Sequence, residues 1–164
     1  MAALWYRECR TGRRFIIKIA PGADLLASLV DFAQTQRLAF ASLVSAVGEV
    51  RDVEIACVQA GAHLPMSGAR FKTTRIEGPL ELLGLEGNLA PGPDRRLAGE
   101  FHLLASRSGG EVVGGHLLAA TVFTDCEIVL AEYLVSGIQR HHSATTGVDT
   151  IYIDEAGEGP EGTL

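Results

Sequence analysis

The stretch that most constrains this chain runs from Glu100 to Leu118, Glu-Phe-His-Leu-Leu-Ala-Ser-Arg-Ser-Gly-Gly-Glu-Val-Val-Gly-Gly-His-Leu-Leu. Two apolar segments flank a short polar turn, the pattern of a β-hairpin. Ser108-Gly109-Gly110 supplies residues that tolerate positive φ at the turn. The second arm carries Gly114-Gly115 directly before His116. Glycine weakens a strand, so a doubled glycine inside one marks a bulge or the close approach of another backbone. The ribbon therefore belongs in the middle of a sheet, crowded by a neighbour.

Each arm carries one histidine, and the turn decides whether they meet. A three-residue loop at Ser108–Gly110 pairs Arg107 with Glu111 and sets His102 opposite His116. A two-residue Gly109-Gly110 turn would set His116 opposite Leu103, on the other face. The first register is the expected one. His102 and Leu104 share a face, because strand side chains alternate.

The 164 residues are the size of one domain, and 47% hydrophobic content is too high for a disordered chain. No apolar run reaches the ~20 residues of a membrane span. The first residues show no basic segment followed by an apolar one, so no signal peptide is expected, and with three scattered cysteines a reducing cytoplasm is the expected compartment. Net charge is −6, which argues against a broad phosphate-binding surface. The odd trio Cys9, Cys57 and Cys126 contains no C-x-x-C pair, so a zinc ribbon or redox motif is not expected. Cys57 and Cys126 read as small buried hydrophobes.

Along the chain, Leu4–Arg10 is a weak strand candidate and Phe15–Ile19 a firm one. Pro21-Gly22-Ala23 breaks it, and Asp24 is suited to cap a helix reaching to about Arg37, with Leu25, Leu29 and Phe32 at helical spacing. Strands are expected at Phe40–Glu49, with a turn near Gly48, and at Val53–Gln59, Phe71–Ile76 and Gly78–Asn88. Loops are expected at Ala60–Gly68 and Ala90–Asp94. After the hairpin, Thr121–Leu134 reads as one or two strands and Ile151–Ile153 as a short last one. Residues 1–153 form the expected domain, with 154–164 an acidic flexible tail. One helix among antiparallel strands gives an α+β single domain, a mostly antiparallel sheet with one main amphipathic helix.

Three pieces line up in order: Pro21-Gly22-Ala23-Asp24, the Gly78–Leu85 strand with its central Glu81, and Val112-Val113-Gly114-Gly115-His116. Together they resemble the plants-and-prokaryotes conserved (PPC) domain, over a core of residues 13–136. That domain is shared by plant AT-hook nuclear proteins and small bacterial and archaeal proteins, and the plant members carry a Gly-Arg-Phe-Glu-Ile-Leu motif implicated in partner interactions. Here that place holds Gly78-Pro79-Leu80-Glu81-Leu82-Leu83, in which Gly78, Glu81 and Leu83 match. The resemblance implies an acetolactate-decarboxylase-like fold, a bacterial homotrimer and a DNA-binding or regulatory role. It also marks Gly114 and Gly115 as motif residues.

Bacterial relatives often show His-x-His on the first arm and a third histidine after Gly-Gly, similar to the zinc site of acetolactate decarboxylase. By that resemblance His102 and His116 are candidate metal ligands, with Leu104 where the middle histidine would be. His63, a carboxylate or a neighbouring subunit is then needed to complete a zinc site. The other reading makes both rings half-buried groups hydrogen-bonded in the sheet or an interface. His141-His142 reads as plain surface. Glu127 and Glu132 point to opposite faces of their strand and read as salt-bridged or exposed carboxylates, or else as a general base beside a metal.

For DNA, the nearest basic cluster is Gly12-Arg13-Arg14, and Arg13 and Arg14 are the candidate phosphate contacts. No Arg-Gly-Arg-Pro hook for the minor groove occurs in these residues. The expected function is a homotrimeric DNA-binding or regulatory module more than an enzyme. The alternatives are a metal-dependent, lyase-like enzyme or a small-molecule-binding protein with its site at the hairpin histidines.

Overall fold

The computed structural model describes residues 4–153. The expected tail at 154–164 lies outside the described residues. The elements are β1 (Arg10–Ile19), α1 (Leu25–Thr35), β2 (Ala41–Val58), β3 (Phe71–Ile76), β4 (Leu80–Pro91), β5 (Leu97–Ser106), β6 (Val112–Leu134), β7 (Ile138–His142) and β8 (Asp149–Ile153). This is the α+β architecture anticipated from the sequence, one helix on a mostly antiparallel sheet.

The strand order is β1-β6-β5-β4-β2-β3, and β6 also pairs with β2. Because β2 and β6 meet directly as well as through β4 and β5, those four strands close on themselves. Closure removes the unpaired edges that an open sheet leaves. The strand β1 extends the far half of β6, from Arg10↔Leu134 to Ile19↔Cys126. The strand β3 extends the end of β2, from Val53↔Ile76 to Val58↔Phe71. The antiparallel hairpin β7–β8 forms a second, two-stranded sheet, and β7 packs against β4.

The helix starts where Asp24 accepts the Ala27 amide at 2.8 Å, an N-cap that satisfies one of the helix's unpaired donors. It buries Leu25, Leu29 and Ala33 completely. These pack with the inward residues of the strands, among them Val50, Leu89, Phe101, Leu103, Val122, Ile128 and Leu130. On β5 the alternation is clean: Phe101, Leu103 and Ala105 face the core, while His102 and Leu104 face outward.

Several boundaries differ from the sequence expectation. Residues 4–9 form no strand, and β1 begins at Arg10. The two strands expected at Phe40–Glu49 and Val53–Gln59 are one 18-residue strand, β2. Its register against β6 shifts between Leu43 and Ser45, between Gly48 and Val50, and again between Arg51 and Ile55. Each shift resets which residues face inward, so the apolar period breaks although the strand does not. Gly48 sits at φ +139°, and a Cβ there would lie 2.1 Å from the Asp125 carbonyl oxygen, so only glycine lets β2 pass β6 at that point. Likewise the second hairpin arm and the apolar run after it form one strand, β6. Ala90 and Pro91, expected in a loop, end β4, and β7 forms in a polar stretch without an apolar pattern to announce it. Cys57, expected to be buried, is exposed, whereas Cys126 is buried as expected. Burial pushes the Cys126 thiol up to about 11, so it stays protonated and acts as a core hydrophobe.

Candidate functional site

The turn of the central hairpin has the three-residue form. The Arg107 amide donates to the Glu111 carbonyl at 2.9 Å, the Gly110 amide returns to Arg107 at 2.8 Å, and Gly110 takes φ +80°. This fixes the register His102↔His116, Leu103↔Gly115 and Leu104↔Gly114. The two imidazoles stand edge to face with centroids 5.4 Å apart.

The doubled glycine explains why the rings can lie in a groove. A Cβ on Gly114 would meet the Leu103 carbonyl oxygen at 2.7 Å and the Leu104 side chain at 2.6 Å. A Cβ on Gly115 would meet Cys57 Sγ at 2.8 Å and the Ala56 carbonyl oxygen at 3.0 Å. The β6 backbone is thus pressed between β5 and β2, which brings His116 beside Ala56 of β2 as well as His102 of β5. The same outer row continues to Glu86, which pairs with His102 from β4.

The β7–β8 hairpin supplies the opposite wall. Between it and the sheet lies a cavity of about 710 Å³. Its polar lining is Glu100, His102, His116, Arg140, His142 and Asp149. Ala56, Val58, Phe71, Ala98 and Val148 make much of the rest apolar. A concave, mostly apolar space with a few convergent polar groups is the usual form of a small-molecule site.

Arg140 is the centre of the charged wall. It is 5% exposed. Its Nη1 donates to Glu100 Oε2, and its Nη2 donates to Asn88 Oδ1 at 2.6 Å. Asn88 and Glu100 face each other across β4 and β5, so two strands hold the acceptors for one guanidinium. Its Nε is buried without a partner. On the rim, His142 Nδ1 lies 3.1 Å from Asp149. Burial moves the His116 imidazole below its ordinary pKa; Glu100 pulls the other way, and His102 and Arg140 reinforce the depression.

The remaining sequence candidates lie elsewhere. His63 is outside the cavity lining, with its Nε2 3.3 Å from Arg70. Leu104 is 54% exposed on the outer face of β5. Arg13 is engaged: its Nε donates to Glu132 Oε2 at 2.8 Å, its Nη2 to Oε1 at 3.1 Å and to the Gln36 carbonyl at 2.8 Å. Arg14 is exposed on β1. In the Gly78–Leu83 motif, Leu82 is buried while Glu81 and Leu83 face out. His141 and His142 belong to β7, and His142 lines the cavity. Nothing local in the sequence marks Arg140 or Asn88 as site residues. Only Glu100 left a readable trace, two residues before His102 and so on its face.

The donor set bears on a bound metal. Among the described residues no three His, Cys, Asp or Glu side chains converge at metal-binding geometry. Two imidazoles with Leu104 beyond them do not make a zinc site within one chain, since zinc takes three protein ligands even in its open sites.

A family profile, the Plants and Prokaryotes Conserved (PCC) domain, matches residues 6–134. The chain belongs to this family. The match agrees with the resemblance seen in the sequence and covers the helix, both histidines and the whole closed sheet, and it ends before β7. Among proteins, the chain is 28% identical over 147 residues to the bifunctional protein GlmU of Synechococcus sp. (strain JA-3-3Ab), covering 89% of this chain and 21% of that one. It is 27% identical over 119 residues to AT-hook motif nuclear-localized protein 29 of Arabidopsis thaliana, covering 73% of this chain and 39% of that one. The chain therefore spans about a fifth and two fifths of these relatives' lengths. Among solved structures, a metal-containing protein of Archaeoglobus fulgidus superposes with TM-score 0.77 at 27% identity, over 88% of this chain and 96% of that one. A plant- and prokaryote-conserved protein of Pyrococcus horikoshii superposes with TM-score 0.75 at 22% identity, over 87% and 95%.

Proposed function

We propose that this PCC-domain protein is a homotrimeric regulatory module that receives a small ligand in the cavity between the central hairpin and β7–β8. The observation that carries the reading is the pair of facing imidazoles, 5.4 Å apart, on the wall of a 710 Å³ cavity that also holds the buried Arg140 paired with the half-buried Glu100. Burying such groups is costly, and clusters of this kind in a cavity are typical of binding sites. The catalytic alternative, a lyase-like enzyme, would need a metal. His102 and His116 would then hold zinc together with at least one donor from a neighbouring copy, and the metal-containing Archaeoglobus relative supports testing it.

The test is thermal unfolding of the purified protein against a panel of small organic acids, neutral metabolites and divalent metals, with elemental analysis of protein prepared without chelator. A ligand of the cavity raises the Tm of the parent and not of His102→Ala or His116→Ala. If every stabilising compound acts equally on both variants, the site is not there.

DNA association is the second reading, favoured by the similarity to an AT-hook nuclear protein. The structure limits its chemistry: Arg13 is tied to Glu132, so Arg14 is the better phosphate contact, repeated three times in a trimer. A gel shift at low salt that weakens in Arg14→Ala and with added salt supports it. No shift at low salt removes direct DNA binding.

A further inference from the structure

The family profile ends at residue 134, yet one wall of the cavity is built by the β7–β8 hairpin. Resting on the cavity reading above for what the motion controls, we propose that this hairpin is a hinged wall. It lifts from the sheet and closes on it as one unit, with Arg140 as the latch, and so governs access to the imidazole groove.

The first observation is how the hairpin is attached. Of residues 138–153, Arg140 alone is buried; every other one is exposed or half-buried. Among the described residues the buried apolar core ends, in chain order, at Ala131. Lifting the hairpin therefore exposes little apolar surface, the contribution that holds the closed sheet together. It also breaks no strand ladder. β7 and β8 pair with each other, from Ile138↔Ile153 to His142↔Asp149, and neither pairs with a strand of the large sheet. His141 stacks on Tyr152 within the hairpin, with centroids 5.1 Å apart, so the unit carries its own side-chain contacts with it.

The second observation is the chemistry of the latch. Arg140 reaches across to Glu100 on β5 and Asn88 on β4. The attraction within a buried ion pair is largely offset by the loss of hydration. Lifting the hairpin returns both charges to water and strands neither, so closed and open forms lie near balance. The third observation is the pair of ends. Gly137, at φ +71°, stands directly before β7 and gives the joint its backbone freedom. At the tip, the Met66 amide donates to the Thr146 carbonyl at 2.7 Å, and a Cβ on Gly147 would overlap the Met66 carbonyl oxygen. The tip thus rests on a loop.

The cavity takes His102 and His116 from the sheet, and His142, Val148 and Asp149 from the hairpin. A ligand touching both walls binds the closed form alone and draws the hairpin down.

The test is hydrogen–deuterium exchange of the full chain without ligand. The expected result is that the β7 and β8 amides exchange together, ahead of those of β6. Arg140→Gln should speed the hairpin by at least about tenfold while leaving β1 and β6 unchanged. Should Arg140→Gln fold poorly, Gly147→Ala leaves the latch in place, pushes the tip off Met66 and should speed the same amides. Hairpin amides as slow as those of β6, or unmoved by the variant, overturn the hinge. Access to the groove is read by diethylpyrocarbonate modification at a pH where the imidazoles are neutral. His116 should react faster in the loosened variant, with His63 unchanged. A faster hairpin with an unchanged His116 rate overturns its control of the groove. A moving hairpin with no compound whose effect on Tm depends on His102 or His116 removes the cavity reading and leaves the hinge.

Discussion

Arg13 and Glu132 show how a single pair can redirect a functional reading. From the sequence, Arg13 was a candidate DNA contact and Glu132 a strand carboxylate in need of a cation. The structure gives each the other, in a two-point contact that also reaches the end of the helix through the Gln36 carbonyl. Hydrogen bonds from the Arg13 side chain, and then from its amide, hold the Glu132 carboxyl below its ordinary pKa. A carboxylate depressed in the folded state contributes stability above its unfolded pKa of about 4.3, and that contribution is lost as pH falls through the folded value. Glu132→Gln should therefore lower the Tm at pH 7, and the gap to the parent should close as the pH falls below about 4. A gap that stays constant from pH 7 to pH 3 would show that the pair's charge contributes nothing. The hairpin histidines are the opposite case. Their meeting was legible, because a three-residue loop and the period of a strand are enough to set two side chains face to face.

At the scale of elements, the strands were legible as apolar segments but not as lengths. β2 and β6 are long because they bend and bulge around the closed sheet, and every register shift interrupts the alternation that marks a strand. Gly48 read as a turn, and in the structure it is a crossing point inside a strand. Gly48→Ala would place a methyl against the Asp125 backbone at positive φ, where neither strand can yield cheaply. The expected loss is about 1–3 kcal/mol or more in urea unfolding. An unchanged midpoint would mean that β2 does not pass β6 as described. The helix, by contrast, was placed by one capping aspartate and a stripe of leucines, since both signals are local.

For the whole molecule, what the sequence hid is the partnership of distant segments. Arg140 lies 38 positions after His102, on a short strand in a polar stretch, and nothing local marks it as the wall of a cavity. The assembly is the other whole-molecule question. Ile16 is 90% exposed in the middle of β1, and Val44 and Val47 on β2 are also exposed. Apolar side chains this open on a sheet are expected to be covered by another copy. Light scattering should give three times the 17.4 kDa chain mass. Ile16→Asp should lower that mass, and a parent that is already monomeric would remove the trimer.

The most direct measurement is side-chain NMR of the five histidines during addition of a compound that raises the Tm. A shared cavity predicts that His102 and His116 shift together, with one binding constant, while His63 stays unmoved. Shifts confined to His63, or to only one of the hairpin rings, would contradict it.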